Sequence, residues 1–188
     1  MILATNNRGK LKEIKEIFKE YEICSLKEKN IEVDVEENED TFFGNAFKKA
    51  KEIYEITKEP VIADDSGLCI TALNGFPGVL THRFLGDNAT DEDRNNDLIH
   101  RLNNMNDRSA KVICNLVYYD GERTLVGEGI LCGKISKKIR GENGFGFDSI
   151  FELDDGRTLA ELTSDEKNKI SARYLAAIDL LDKLNKYK

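Results

Sequence analysis

The sequence predicts an α/β fold on three observations. Short buried runs alternate with helical periodicity through the first sixty residues, a long hairpin signal fills the third quarter, and an apolar-striped helix closes the chain. Residues 2–5 are an apolar run suited to a buried strand, after which Leu11, Ile14, Ile17 and Phe18 recur at helical spacing. Residues 21–26 make a second strand and residues 27–40 a loop dense in acid, carrying Glu32, Asp34, Glu36, Glu37, Glu39 and Asp40. Phe43, Ala46, Phe47, Ala50, Ile53, Tyr54 and Thr57 trace the face of a helix that stops before Pro60, because the residue preceding proline is pushed out of helical backbone. Residues 61–63 are a buried strand that ends in Asp64 and Asp65, and residues 74–107 are polar enough to suit a lobe or lid more than core. Residues 109–119 and 123–136 alternate branched and polar side chains around the Asp120-Gly121 turn, which predicts a long antiparallel hairpin. In the last helix Ile170, Tyr174, Ala177, Ile178, Leu181 and Leu184 share a face, with Thr163 and Glu166 spaced as a capping box at its start.

Composition narrows the function classes. In 188 residues, 28 Lys/Arg against 35 Asp/Glu leave a formal charge of −7. Such a chain does not suit dedicated duplex binding, which draws its affinity from an excess of Lys/Arg over phosphates. With 40% hydrophobic residues, one domain over 1–188 buries about 70% of its unfolded surface without help from disulfides. No apolar run approaches the roughly 20 residues that span a bilayer, and no basic, apolar leader precedes the first strand, so a cytoplasmic protein with no membrane partner is expected. Cys24, Cys69, Cys114 and Cys132 are widely spaced, each in an apolar run, and are expected to be buried free thiols in a reducing compartment.

Four segments carry chemistry. Thr5-Asn6-Asn7-Arg8-Gly9-Lys10 lies between a strand and a helix, where unpaired backbone N–H groups favour an anion and Arg8 and Lys10 add charge; an ordinary capped turn is the alternative. Asp64 and Asp65 are adjacent and so point to opposite faces of the strand, and hard carboxylate oxygens of this kind suit Mg²⁺ bridging to substrate phosphates. The acidic loop could add a ligand, and its residue types do not say which of the six acids does so. Gly144-Phe145-Gly146-Phe147-Asp148 can offer an aromatic face to a nucleobase and a carboxylate to its edge, or its rings can plug the core. Lys167 and Arg173 lie about 120° apart on a continuous helix, so both reach one ligand only across the helix end or across a break near Ser171.

In this order A-T-N-N-R-G-K, N-A-F-K-K-A, A-D-D-S-G-L, L-N-G-F-P-G, G-F-G-F-D and L-T-x-x-E-K-N-x-I-S-A-R resemble the non-canonical purine nucleoside triphosphate pyrophosphatases, also called inosine triphosphate pyrophosphatases, over residues 3–177. The resemblance implies an elongated mixed β-sheet with flanking helices, two lobes forming a central nucleotide cleft, and a homodimer. It implies hydrolysis of ITP, dITP or XTP to the monophosphate and pyrophosphate with Mg²⁺, cleansing the nucleotide pool. By position it makes Asp65 the catalytic acid and a metal ligand, and Glu37 the loop carboxylate that helps hold the metal. Thr5, Asn6, Asn7, Arg8, Gly9, Lys10, Lys49, Ser66 and Lys167 match phosphate and sugar contacts, and Phe145, Gly146, Phe147, Asp148 and Arg173 match the base pocket.

The chain departs from that pattern in three places: Asn6 stands where the family has Gly, Phe147 where Tyr or Trp is usual, and Ala172 where a His helps read the 6-oxo purine edge. Two other readings compete. One is the septum-inhibitor-like pyrophosphatases, whose opening motif differs. The other is a nucleotide-sensing or single-strand-binding module that uses the same residues without hydrolysis, which has no need of carboxylates that repel phosphate.

Overall fold

The computed structural model describes residues 1–86 and 88–187, with Arg8 described in its backbone alone. The strands are β1 (Ile2–Leu3), β2 (Cys24–Ser25), β3 (Val61–Ile70), β4 (Ser109–Tyr119), β5 (Thr124–Ile135) and β6 (Phe151–Glu152). The helices are α1 (Arg8–Ile17), α2 (Phe42–Thr57), α3 (Asp91–Arg101), α4 (Ser164–Asn168) and α5 (Ala172–Lys186). The strands form one mixed sheet in the order β2-β1-β3-β4-β5-β6, with β1 parallel to both β2 and β3 and β6 antiparallel to β5. Among the described residues no helix is long and apolar enough to cross a membrane.

The chain divides into two compact units, the first made of residues 1–66, 114–129 and 172–188, the second of residues 67–113 and 130–171. In the first, Ile2, Ala4, Val61, Ala63 and Val117 of the sheet region pack with Ala46, Ala50 and Ile53 of α2. Thr41 caps α2 by accepting from the Gly44 N–H, and Lys58 ends it in left-handed backbone ahead of Pro60, where proline chemistry places the stop. In the second unit Leu68, Ile70, Phe84, Leu98, Leu102, Ile135 and Phe151 form the core.

Four expectations change. The strand does not end at Ala63; it runs on through Asp64, Asp65, Ser66 and Gly67 to Ile70, because the two carboxylates find partners inside the fold instead of solvent. Polar as it is, α3 is core: its few apolar residues fall on one face, leaving Leu98 and Leu102 fully buried, and its buried Arg94 donates to the carbonyls of Phe84, Gly86 and Ala89. The last helix is two helices, so the Thr163–Glu166 capping box starts the short α4. Only Cys114 is fully buried; Cys24 and Cys69 are half-buried and Cys132 is exposed, although all four are free thiols.

The buried stripe of α5 is Ala172, Ala176, Ala177, Leu180 and Leu184, whereas Ile178 is exposed. Packing against β5 makes that choice. A Cβ on Gly127 would lie 2.1 Å from the Ala176 carbonyl oxygen, and one on Gly129 would lie 1.9 Å from that of Ala172. Strand and helix backbones therefore touch where Ala172 and Ala176 face the two glycines. Gly129→Ala is expected to cost about 3 kcal/mol, the upper end of the usual cost of overpacking, because the obstacle is backbone and cannot swing aside. In a chain of this size that lowers Tm by roughly 6–12 °C. A thermal melt within 2 °C of wild type would show that the two backbones are not in contact.

Candidate active site

In the first unit, β3 sets the geometry. Its side chains alternate, so Asp65 shares the face of Val61 and Ala63 that packs on α2, and Asp64 takes the opposite face. Asp64 is 3% exposed. Its Oδ2 accepts from Lys10 Nζ of α1 at 2.9 Å and from Arg173 Nε of α5 at 3.4 Å. Arg173 also donates through Nη1 to Glu13 Oε2 at 3.1 Å. Burial alone would raise the Asp64 pKa, but the charges of Lys10 and Arg173 more than offset it and hold the carboxyl well below the ordinary range. For Arg173 burial works against the charge, and Asp64 and Glu13 hold it firmly protonated.

Asp65 has a different environment. Its Oδ2 accepts from Asn45 Nδ2 at 2.9 Å and its Oδ1 from the Ser66 N–H at 2.8 Å. Burial raises its pKa against the hydrogen bond from Asn45, and the charge of Glu37 adds to the rise, so the carboxyl titrates at about 6. Lys49 is bonded to Glu37 and donates to the Asp64 carbonyl at 3.1 Å, and its pKa is raised because the Glu37 partnership outweighs burial. The structure thus gathers Lys10, Glu37, Lys49, Asp64, Asp65 and Arg173 in this unit. Among the described residues no group of three or more His, Cys, Asp or Glu side chains is arranged to hold a metal ion.

The opening loop differs from the expected row of unpaired amides. Asn7 is the N-cap of α1, and its Oδ1 accepts from the N–H groups of Gly9 at 2.8 Å and Lys10 at 3.1 Å, while Thr5 Oγ1 accepts from the Asn7 N–H. Asparagine is among the strongest N-caps, and here it satisfies the donors of Gly9 and Lys10. Asn6 is exposed, and the side chain of Arg8 lies outside the described residues.

The second unit holds the Gly144–Asp148 segment, and here the two alternatives are divided between the two rings. Phe147 stacks on Phe84, centroids 6.1 Å apart, against the core. Phe145 is 54% exposed, with Lys167 Nζ 4.5 Å from its ring centroid. Asp148 Oδ2 accepts from the Phe145 N–H at 2.8 Å and is paired with Lys167. Gly144 has φ +85°, and a Cβ there would meet the Asp148 carboxylate at 2.1 Å, so glycine is required. The break between α4 and α5 at residues 169–171 sends Lys167 to Asp148 and Arg173 to Asp64.

Sequence reasoning missed Asn45 and Glu13. Asn45 is 1% exposed and joins two parts of the site, accepting from the Glu39 N–H at 2.9 Å while it donates to Asp65. Its signal was present: it lies four residues before Lys49, on the same face of α2. Glu13 lies three residues after Lys10 on α1 and had the same kind of signal.

Lysines that carry charge for an anion, beside a carboxylate whose pKa is tuned for base work, are the equipment of a phosphate-handling hydrolase. The chain belongs to the Ham1 family, whose model matches residues 1–183. It is 44% identical over 186 residues to a dITP/XTP pyrophosphatase of Caldanaerobacter subterraneus subsp. tengcongensis, covering 96% of this chain and 93% of that protein. Among solved structures it is similar to a HAM1 protein from Coxiella burnetii, with TM-score 0.92, 38% identity and 98% of each chain covered. The Staphylococcus aureus Ham1 protein matches with TM-score 0.93 and 37% identity, over 100% of this chain and 98% of that one.

The raised pKa of Asp65 is also a statement about stability. Below about pH 4 folded and unfolded chains both carry it neutral. Between about pH 4 and 6 the unfolded chain ionises first, so the fold loses stability as pH rises, by about 3 kcal/mol once Asp65 is fully charged. Asp65→Asn removes that cost and is expected to raise Tm by several degrees at pH 8 in EDTA, and by much less at pH 4.5. Equal gaps at the two pH values, or a less stable variant at pH 8, would show that Asp65 is not held against ionisation.

Proposed function

We propose that this chain hydrolyses the non-canonical purine nucleoside triphosphates ITP, dITP and XTP between the α- and β-phosphates, releasing the monophosphate and pyrophosphate and so clearing these nucleotides from the pool. One observation carries the reading: two adjacent buried carboxylates with opposite tuning, Asp64 held ionised by Lys10 and Arg173, and Asp65 titrating at about 6 beside Lys49 and Glu37. The name dITP/XTP pyrophosphatase, shared by relatives 40–44% identical, supports the substrate class.

Lys10 and Lys49 hold phosphate oxygens, with Thr5, Asn6, Asn7, Arg8, Gly9, Ser66 and Lys167 as further phosphate and sugar contacts. Anionic phosphate competes with Asn7 for the amides of Gly9 and Lys10. Ionised Asp65 takes the proton of the water that attacks phosphorus, the bond between the α-phosphorus and its bridging oxygen breaks, and pyrophosphate leaves. Asn45 and the Ser66 N–H hold the two oxygens of Asp65 in place for that transfer. Phe145 stacks on the base, while Gly146, Phe147, Asp148 and Arg173 complete its recognition.

Asp65 and Glu37 would hold Mg²⁺, being hard oxygen donors, and Asp65 fits a dication because burial and the Glu37 charge both oppose its ionisation and a cation relieves both. Bound there, Mg²⁺ supplies neutralisation of the triphosphate charge. The reading also takes the enzyme to be a cytoplasmic homodimer; its four free thiols suit a reducing compartment, and light scattering reads the dimer. Nothing supports a nucleotide sensor or single-strand binder that leaves its substrate intact.

The test is pyrophosphate release from dITP, with Mg²⁺ and with EDTA. Wild type is expected to release it only with the metal, and Asp65→Asn to lose roughly 10²–10⁴-fold in kcat, the span attributed to a general base. A wild type that binds dITP but leaves it intact would end the hydrolase reading, and an Asn variant within tenfold of wild type would remove Asp65 from its role. Lys10→Ala and Lys49→Ala are expected to raise KM and to lessen its dependence on salt, because each removes a charge that salt can screen from phosphate. Unchanged kinetics in both would make them ordinary partners of Asp64 and Glu37.

A further inference from the structure

Gly146 sits between the exposed Phe145 and the core-packed Phe147, and α3 holds both of its peptide polar groups. Its N–H donates to Asp91 Oδ2 at 2.7 Å, and its carbonyl accepts from Asn95 Nδ2 at 2.9 Å. Asp91 and Asn95 are four residues apart on one helix face. Asn95 Nδ2 also donates to Ser149 Oγ at 3.0 Å, which ties the same helix to the far end of the loop. Together with Gly144, Phe145 and Asp148, the two side chains line a depression of about 340 Å³.

Each residue does more than its own helix requires, since within α3 Asp91 makes only a long pairing with Arg94 at 3.9 Å. Thr90 and Asp93 already form a complete capping box at the start of α3, so Asp91 is spared that duty. Asn95 is 2% exposed, and its Oδ1 has no hydrogen-bond partner among the described residues. A buried amide left half satisfied needs a reason, and here the reason is its donor side, aimed at Gly146 and Ser149. The loop needs such restraint, since Gly144 and Gly146 both have positive φ and glycine leaves the backbone free to leave that conformation. Asp148 closes on the Phe145 N–H, pairs with Lys167 and accepts at its carbonyl from the Ala160 N–H, and Phe147 packs on Phe84, so α3 is what holds the peptide groups of Gly146 between them.

We infer that Asp91 and Asn95 are positioning residues that clamp Gly146, and that this clamp sets how well the 144–148 loop distinguishes one purine base from another. The inference rests on the base-reading role proposed for that loop. Polar groups reject a wrong base only if they stay in place when it leaves them unpaired; a loop free to shift re-pairs with either base and loses the discrimination.

Asp91→Ala, Asn95→Ala and the conservative Asp91→Asn test it, the last keeping an oxygen that accepts from the Gly146 N–H. In hydrogen–deuterium exchange of the nucleotide-free protein, the 144–149 segment is expected to exchange at least tenfold faster in Asp91→Ala and near the wild-type rate in Asp91→Asn. In pyrophosphate release, the ratio of kcat/KM for dITP over dATP is expected to fall about tenfold in both Ala variants, through KM for dITP more than kcat, and to recover in Asp91→Asn. Unchanged exchange in Asp91→Ala would overturn the clamp. Faster exchange with an unaltered ratio, or an equal fall in kcat for both nucleotides, would overturn its part in base choice while pyrophosphate release from dITP by wild type stands. A wild type inert toward dITP fails the hydrolase reading, and the base-choice inference falls with it. Asp91 is exposed at the helix surface, so its variants decide the matter should Asn95→Ala not fold.

Discussion

An ionised carboxylate removed from water costs several kcal/mol unless positive charge and hydrogen bonds meet it there, and Asp64 sits at that disadvantage in the middle of β3. Lys10 comes to it from α1 and Arg173 from α5, two helices that are distant in sequence and packed together in the first unit. The demand extends outward: Arg173, itself buried, takes Glu13 as a second partner, and Lys49 of α2 donates to the carbonyl of the same strand residue. One charge on the central strand thereby dictates where three helices place basic groups. α5 approaches β5 closely at Gly127 and Gly129, and the second of these faces Ala172, the neighbour of Arg173.

Asp65 draws its chemistry from contrast with its neighbour. A single step along a strand turns the side chain to the other face, and there the fold supplies an amide, a backbone N–H and a nearby acid in place of two direct cations. Two carboxylates of one chemical type then titrate far apart, which is how a fold assigns one to bind charge and the other to move a proton. Asn45 belongs to this division, because it holds Asp65 and the acidic loop with one side chain.

The second unit solves a different problem, the display of an aromatic ring on a glycine-rich loop. Packing the half-buried Phe147 against Phe84 secures the loop and leaves Phe145 outside, with Lys167 over its face. Asp148 is occupied within its own loop and by Lys167. Asp91 and Asp148 both accept from backbone N–H groups of the loop, and Gly144 and Gly146 keep a positive φ that few other residues adopt.

Much of this was legible in the amino-acid order. Helical spacing marked α1 and α2, the Asp120-Gly121 turn marked the β4–β5 hairpin, and six short motifs in register marked the family. These are local signals, set by backbone propensity and by residue types that a chemistry requires. Whether β3 continued past Ala63 was not legible, because Asp64-Asp65-Ser66-Gly67 reads as a turn until Lys10, Arg173 and Asn45 are brought to it from 54, 109 and 20 residues away. The buried face of α5 followed from glycines on β5, and the fate of each Phe followed from where Phe84 lay. Opposite tuning of two adjacent aspartates was equally beyond the sequence, since a pKa depends on burial and on charges within a few ångströms. The sequence by itself determined which groups were available and on which elements; only the tertiary structure decided which of them met, because burial and contact depend on residues remote in the chain.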